Sequence, residues 1–379
     1  MRVLLDYRAA LSQRSGVGEY AFQLARALVA AFPRGPRGAL DLTLFSSSWK
    51  DRLIVPPELA GAAAIDRRVP VRALNFAWHR LEWPPAEQLA SSAFDVTHSL
   101  HPLLMPSRSA AQVVTIHDLN FLLHPERTHG EIRRDYPALV RDHAHRADRV
   151  IVVSQFTARE VERLLEVPRD RIVVCSPGAP AWTPRPAEPD GAAYVLFFGT
   201  LEPRKNVGAL LDAYGQLAGR RRDLPPLVLA GKATDAARPW LEQIDRAPLK
   251  GLVRHIGYVD PANRQALYEG ARLLVQPSYE EGFGLPVLEA MTLGVPVIAA
   301  DRGALPEVLG DAGLLFDPLD PDHLAAAIER AIDDPSFAAR ARAAGSARAK
   351  HFTWERTARS VFAAYEAAIA QHAVRRGAA

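Results

Sequence analysis

Short apolar runs recur along the chain between longer stretches of helical period: VLLD at 3–6, LTLF at 42–45, VVTI at 113–116, VIVV at 150–153 and IVVC at 172–175. Near-continuous hydrophobic runs of this length, alternating with amphipathic segments, predict buried parallel strands in a doubly wound α/β unit. The rhythm restarts with YVLFFG at 194–199, PLVLAG at 226–231, VRHIGYV at 253–259, LLVQPS at 273–278 and VPVIAA at 295–300, which predicts a second Rossmann-like unit. Between the two, SPGAPAWTPRPAEPDG at 176–191 carries five prolines and two glycines, the composition of an exposed connector. From Pro335 the pattern is helical to near the end, with Thr353 placed to cap the last helix. Two such sheets in tandem are expected to leave a cleft at the carboxyl ends of their strands, where open α/β sheets bind ligands.

Composition narrows the class. With 48% hydrophobic and 23% charged residues in 379, the chain is an ordinary globular protein rather than a disordered one or a coiled coil. Its apolar stretches break short of the roughly 18 consecutive residues a membrane-spanning helix needs, and no signal peptide precedes the first strand. The single cysteine, Cys175, excludes an intrachain disulfide and a cysteine-based zinc cluster. A cytoplasmic protein is expected. The net charge of +3, from 46 basic and 43 acidic residues, is too small and too scattered to indicate nucleic acid. It is either a solvated face or a mild bias toward an anionic substrate or an anionic membrane surface.

The segment QPSYEEGFGLPVLEAMTLGVPVIAA, 276–300, holds two acids, Glu281 and Glu289, with seven residues between them. Gly282 and Gly284 lie between the acids, and Pro286 stands where a helix would open. A helix start after glycines presents free N–H groups and a positive dipole end to an anion or a polyhydroxyl. The two carboxylates are spaced to grip hydroxyls at two points along one cleft wall. A second segment, FFGTLEPRKNVGALLDAY at 197–214, opens a loop at Gly199 and sets Arg204 and Lys205 before a helix. Adjacent cations at the mouth of a cleft can hold a diphosphate, arginine by its fork and lysine as a point charge, with Glu202 close enough to orient them. In the first half, Gly16 and Gly18 head an amphipathic helix, where they form either a phosphate-cradling loop or only a turn. TIHDLN at 115–120 ends a strand in His117 and Asp118. The histidine can hydrogen-bond a hydroxyl in the cleft or be a satisfied structural ring, and Asp118 can orient it or cap a turn. Ser154 is read as a helix cap.

These segments resemble the retaining glycosyltransferases of family 4, whose signature is a pair of glutamates at this spacing. The resemblance continues through GVPVIAADRGALPEVLGDAGLLFDPLD and back to GYVDPANRQALYEGARLLVQPS, and is strongest from about Gly199 to Pro318. It implies a GT-B fold, α/β, in which two Rossmann-like doubly wound domains face a central cleft: residues 1–180 on the acceptor side, 190–350 binding the nucleotide-sugar, and a helix over 351–379 crossing back to the first domain. It implies catalytic roles for His117, Arg204, Lys205 and Glu281. It further implies a donor-binding set of Gly16, Gly18, Gly199, Arg204, Lys205, Tyr258, Glu281, Gly282, Phe283, Gly284, Leu285 and Glu289. Glu281 would contact the donor sugar, Glu289 the ribose, and the basic pair the phosphates in place of a metal, so neither metal nor other cofactor is expected. The His-Asp pair and LEPRKN look most like the mannosyl- and rhamnosyl-transferring branch. GDP-mannose is therefore the first donor, before UDP- and dTDP-sugars, and a saccharide or lipid-linked saccharide the acceptor, with peripheral contact at the inner face of the membrane as a further option. A nucleotide-sugar epimerase or hydrolase, or a non-catalytic sugar-nucleotide sensor, are the rival readings.

Overall fold

The computed structural model describes every residue except 12–13, 15, 34–38, 128–129, 186–192 and 378–379. The chain forms two compact units, Met1–Gly178 with Thr353–Ala379, and Ala179–Phe352.

The first unit is built on a seven-stranded sheet ordered β3-β2-β1-β4-β5-β6-β7, parallel throughout. Its strands are β1 (Arg2–Asp6), β2 (Asp41–Ser47), β3 (Ala63–Arg67), β4 (Val96–Ser99), β5 (Ala111–Ile116), β6 (Arg149–Val152) and β7 (Ile172–Val174). Val3, Leu4 and Leu5 of β1 are wholly buried, as expected of a central strand covered on both faces. Strand order reverses between β1 and β4. At that switch point Leu5 pairs with His98, which brings the carboxyl ends of β1, β4 and β5, and hence Asp6 and His117, to one edge of the sheet.

Two of these strands escape the hydrophobic pattern. β3, AAIDR, is a half-exposed edge strand with two charges. β4, VTHS, is central but polar, and it tolerates burial because the His98 ring is satisfied by the Thr115 hydroxyl at 2.8 Å and the Tyr365 hydroxyl at 2.7 Å. Tyr365 belongs to the last helix, Trp354–Gly377. That helix also stacks Phe362 on Phe32, with ring centroids 4.1 Å apart. The helical stretch expected from Pro335 consists of Pro335–Ala349 and a separate last helix, Trp354–Gly377, as the placing of Thr353 suggests. The second starts afresh because the Thr353 hydroxyl accepts the Arg356 N–H at 3.2 Å.

The second unit carries a six-stranded sheet ordered β10-β9-β8-β11-β12-β13, again parallel. Its strands are β8 (Tyr194–Phe198), β9 (Leu227–Ala230), β10 (Val253–Gly257), β11 (Ala271–Gln276), β12 (Val297–Ala300) and β13 (Leu314–Phe316). β13 was not predicted, being three residues in a glycine- and aspartate-rich stretch. The switch point lies between β8 and β11, so the loops carrying Arg204 and Glu281 leave adjacent strands at the same edge. Gly231 is needed beside them, since a Cβ there would fall 2.0 Å from the Gly199 carbonyl oxygen.

The expectation of an exposed connector holds at Ala181, Thr183 and Pro184, which are exposed, and fails on either side of them. Pro177 and Gly178 are buried, and Arg185 is 7% exposed because its guanidinium donates to the carbonyls of Glu269 (2.8 Å) and Ala271 (2.7 Å). Residues 186–191 of the predicted connector lie outside the described residues.

Candidate functional site

In the second unit the helix Leu285–Leu293 starts after Gly284, whose φ of +104° suits glycine. The loop ahead of it, Glu280 to Gly284, is buried. Glu281 is the centre of a charged cluster. Its Oε1 accepts from Lys205 Nζ at 2.5 Å, Ser278 Oγ at 2.7 Å and Gln276 Nε2 at 2.8 Å, and its Oε2 from Arg204 at 3.3 Å. Burial alone would raise the Glu281 pKa. The charges of Lys205 and Arg204, with the hydrogen bonds from Lys205 and Ser278, outweigh it and hold the carboxyl at about 2. Burial and the neighbouring Arg204 charge lower the Lys205 pKa, while Glu281 and Glu202 oppose that shift.

This differs from the sequence expectation in one way and adds to it in another. Lys205 does not stand open at a mouth but is buried, and Glu281 is bound directly to the basic pair, a contact the sequence did not indicate. Glu202 orients Arg204 as anticipated, at 2.7 Å from its Nε. The backbone locks the cluster: Tyr279 N donates to Arg204 O and Ala304 N to Glu281 O, both at 2.9 Å. Gly303, which sequence reasoning missed, has φ +62° and lies so close that a Cβ would meet Glu281 O at 2.6 Å.

Glu289, one turn into the helix, is also buried and pairs with Arg264 at 3.0 Å, both side chains less than a tenth exposed. The Arg264 guanidinium lies 5.5 Å from the centroid of the Phe198 ring, at the carboxyl end of β8. The Tyr268 hydroxyl is pushed up by burial and then by the Glu289 charge and hydrogen bond. Arg264 was passed over because one arginine in the polar-looking helix Pro261–Glu269 reads as solvated. Tyr258 is half-buried, with Lys232 Nζ 5.8 Å from its ring centroid. Phe283 turns inward, 5% exposed and edge-on to Phe352 at 5.7 Å, so only its backbone can meet a ligand. Gly199 is half-buried after β8, Gly282 is buried, and Leu285 is half-buried at the first helical position.

In the first unit Gly16 is the exposed N-cap of the helix Val17–Ala31, with φ +50°. Gly18 is buried, and the need for glycine there comes from Ala9, whose carbonyl oxygen would be 2.4 Å from a Cβ. That contact is sufficient to require the second glycine. His117 follows β5, partly buried, with Nε2 3.2 Å from Leu100 O and its ring edge-on to Tyr20 at 4.9 Å. Burial lowers its pKa to about 4 against the raising effect of Asp118, so the ring is neutral at physiological pH. Asp118 caps a turn, accepting from Asn120 N at 3.2 Å, and Ser154 caps the helix Gln155–Leu165 by accepting from Thr157 N at 3.0 Å. At the end of β1 the buried Asp6 is gripped by Arg8 at 2.6 and 2.8 Å, with His101 at 3.3 Å. The Arg8 charge holds Asp6 far below the carboxylate range in spite of burial. This ion pair was not anticipated, although the Asp-x-Arg spacing at a strand end was its visible trace.

The profile described as Glycosyltransferase Family 4 matches residues 14–181, and that of Glycosyl transferases group 1 matches residues 179–348. The O-antigen chain mannosyltransferase B of Escherichia coli is 32% identical over 373 residues, covering 93% of this chain and 96% of that protein. Among solved structures, sucrose-phosphate synthase from Thermosynechococcus elongatus superposes with a TM-score of 0.78 at 22% identity, over 96% of this chain and 98% of that one. Anabaena Alr3699/HepE, in complex with UDP-glucose, does so with a TM-score of 0.70 at 18% identity, over 95% and 98%.

Proposed function

Because the chain belongs to glycosyltransferase family 4 and has the GT-B fold of two parallel-sheet Rossmann-like units, we propose that it is a retaining mannosyltransferase. It moves mannose from GDP-mannose to an acceptor hydroxyl in the assembly of a bacterial polysaccharide. The observation that carries the reading is the Arg204–Lys205–Glu281 cluster at the β8/β11 switch point, with Lys205 and Glu281 buried and Arg204 partly open. The donor sugar is supported by the activity named for the 32% identical relative.

In this reading the donor diphosphate competes with Glu281 for the charges of Arg204 and Lys205. As the bond from the anomeric carbon to the phosphate oxygen breaks, negative charge grows on the leaving diphosphate. Preorganised cations stabilise it, an effect of about 3 to 4 kcal/mol per donor where one has been removed. The cluster thus does the work a metal ion would otherwise do. Glu281, kept ionised, accepts hydrogen bonds from donor-sugar hydroxyls, and Glu289 accepts from the ribose. His117, uncharged, hydrogen-bonds the transferred sugar. The departing phosphate oxygen takes the acceptor proton on the same face, which retains the anomeric configuration. The acceptor is a saccharide or lipid-linked saccharide, and the protein works in the cytoplasm, in contact with the inner face of the membrane.

The test is a screen of GDP-, UDP- and dTDP-sugars for nucleoside diphosphate release with and without saccharide acceptors, followed by proton NMR of the product's anomeric centre. GDP-mannose turnover with an axial anomeric product supports the reading. An inverted product, or diphosphate release with no glycoside formed, overturns it.

A further inference from the structure

The exposed apolar surface is concentrated in one place. Of the large hydrophobic side chains exposed among the described residues, Trp49, Ile54, Val71, Phe76, Leu81 and Trp83 lie between residues 49 and 83, and the others are scattered singly. Backbone contacts gather this stretch. β2 and β3 pair through Ser47 and Arg67, Ser48 N donates to Arg67 O at 3.1 Å, and Ser47 Oγ to Val69 O at 2.8 Å. The segment with Trp49 and Ile54 therefore leaves the sheet beside the one that opens the helix Val71–Phe76. That helix continues as the π-helical turn Ala77–Leu81, and Trp83 N returns to Ala77 O at 3.3 Å. Its inner side is committed, with Leu74 and Trp78 buried against Phe45. Its outer side is not: Phe76 is 62%, Leu81 61% and Trp83 56% exposed.

Charge decides what such a face meets. Lys50, Arg52, Arg68, Arg72 and Arg80 stand exposed among these side chains. Arg52 is paired with Asp66 at 2.7 Å, and the exposed Glu82 with Arg146 at 2.9 Å, so that Lys50, Arg68, Arg72 and Arg80 stand against the exposed acids Asp51 and Glu58 in the stretch. Large apolar side chains interleaved with arginines suit the boundary between lipid headgroups and acyl chains. There aromatic rings bury their bodies, and arginine stems lie along apolar surface while their heads reach phosphates. Large apolar side chains exposed in number along one stretch of a surface mark an interaction site more than singly scattered ones do.

We propose that the surface formed by residues 49–54 and 68–83 docks the first unit on an anionic lipid bilayer. These segments follow β2 and β3 at the carboxyl edge of the sheet, the edge that also carries Asp6 and His117, so docking brings an acceptor held in the bilayer to that edge. The proposal gives the membrane contact of the proposed function a surface and stands apart from the donor chemistry.

Sedimentation of the full chain with vesicles tests it, using phosphatidylcholine alone and phosphatidylcholine mixed with phosphatidylglycerol. Binding is expected with the anionic vesicles and not with the zwitterionic ones. The triple substitution Phe76→Ser, Leu81→Ser, Trp83→Ser should weaken it by about tenfold or more. Arg68→Gln and Arg72→Gln should each weaken it about fivefold without touching the apolar face. Nucleotide affinity by calorimetry should stay at the wild-type value in all of these, which separates loss of docking from loss of the donor site. Wild-type protein that binds nucleotide but not anionic vesicles overturns the proposal. So does a triple variant that sediments like wild type, or a wild-type dimer in ultracentrifugation that the triple variant abolishes, which would make the face a contact between copies.

Discussion

The Lys205 ammonium lies 2.5 Å from the Glu281 carboxylate, with both side chains less than a tenth exposed. A buried pair is costly to break from one side, about 3 to 5 kcal/mol, because the remaining charge stays desolvated. Lys205→Met alone and Glu281→Gln alone should therefore destabilise the second unit more than the double change does. Urea unfolding of the four proteins gives the coupling, and additive losses would mean that the two groups do not act as a pair.

Arg204 is more open than Lys205 and is tethered by Glu202. Arg204→Ala should leave stability within about 1 kcal/mol of wild type, as partly exposed pairs contribute little. It should nonetheless lower kcat about a hundredfold or more through the lost stabilisation of the leaving diphosphate. Initial rates with saturating donor check this, and the same assay in EDTA should show undiminished wild-type turnover. Activity abolished by the chelator and restored by manganese or magnesium would remove the cations from that role.

Glu289 and Arg264 divide one charge pair between a helix start and its neighbour. If Glu289 holds the ribose, Glu289→Gln should weaken binding of the bare nucleoside diphosphate about tenfold, the loss expected of one charge-assisted hydrogen bond. Glu281→Gln should spare that binding and damage transfer. Arg264→Gln should also weaken nucleotide binding, by freeing the Glu289 carboxylate to turn. Equal calorimetric affinities for Glu289→Gln and wild type would reject the division.

The legible part of this protein is the part whose cause is local. Pro286 at a helix start, glycines before it and glutamates on either side declare themselves by spacing, and the strand rhythm located the sheets because central parallel strands are buried on both faces. What stayed hidden depends on partners distant in sequence. His98 makes β4 a tolerable core strand only through Thr115 and Tyr365. Arg264 is buried where Glu289 and the Phe198 ring meet it, and a Cβ at Gly18 would strike Ala9. Phe283 sits inside a motif read as ligand-facing, yet its ring is taken by Phe352.

Gly303 illustrates the same point and yields its own expectation. At φ +62° an added Cβ is strained, and it would also strike the Glu281 backbone at 2.6 and 2.7 Å. Backbone atoms cannot move aside as a flexible side chain can. Gly303→Ala should cost on the order of 1 to 3 kcal/mol and, by displacing Glu281, lower turnover more than nucleotide affinity. Unchanged melting temperature and kcat in this variant would show that the loop yields freely.

Acid should unfold the first unit before the second. Burial holds His98 and His79 at about 3, and His117 and His143 at about 4, against an ordinary 6.5. In each case the unfolded chain takes up a proton that the folded one refuses. Between pH 6.5 and about 4 the unfolded state therefore binds more protons, and stability is present above 6.5 and lost as pH falls through that window. Glu281 in the second unit behaves differently: its carboxyl is depressed from 4.5 to about 2, so its contribution persists until pH drops below about 4.5. Hydrogen exchange read by mass spectrometry at pH 7.5, 6 and 5, corrected for intrinsic rates, should show protection falling first in β4, β5 and the helix Trp354–Gly377 while β8 and β11 hold. His98→Asn should lower stability at pH 8, where its hydroxyl partners are lost, and flatten the decline between 6.5 and 4. A wild-type profile already flat across that range, or earlier loss in β8 and β11, would mean that these buried rings do not set the acid limit.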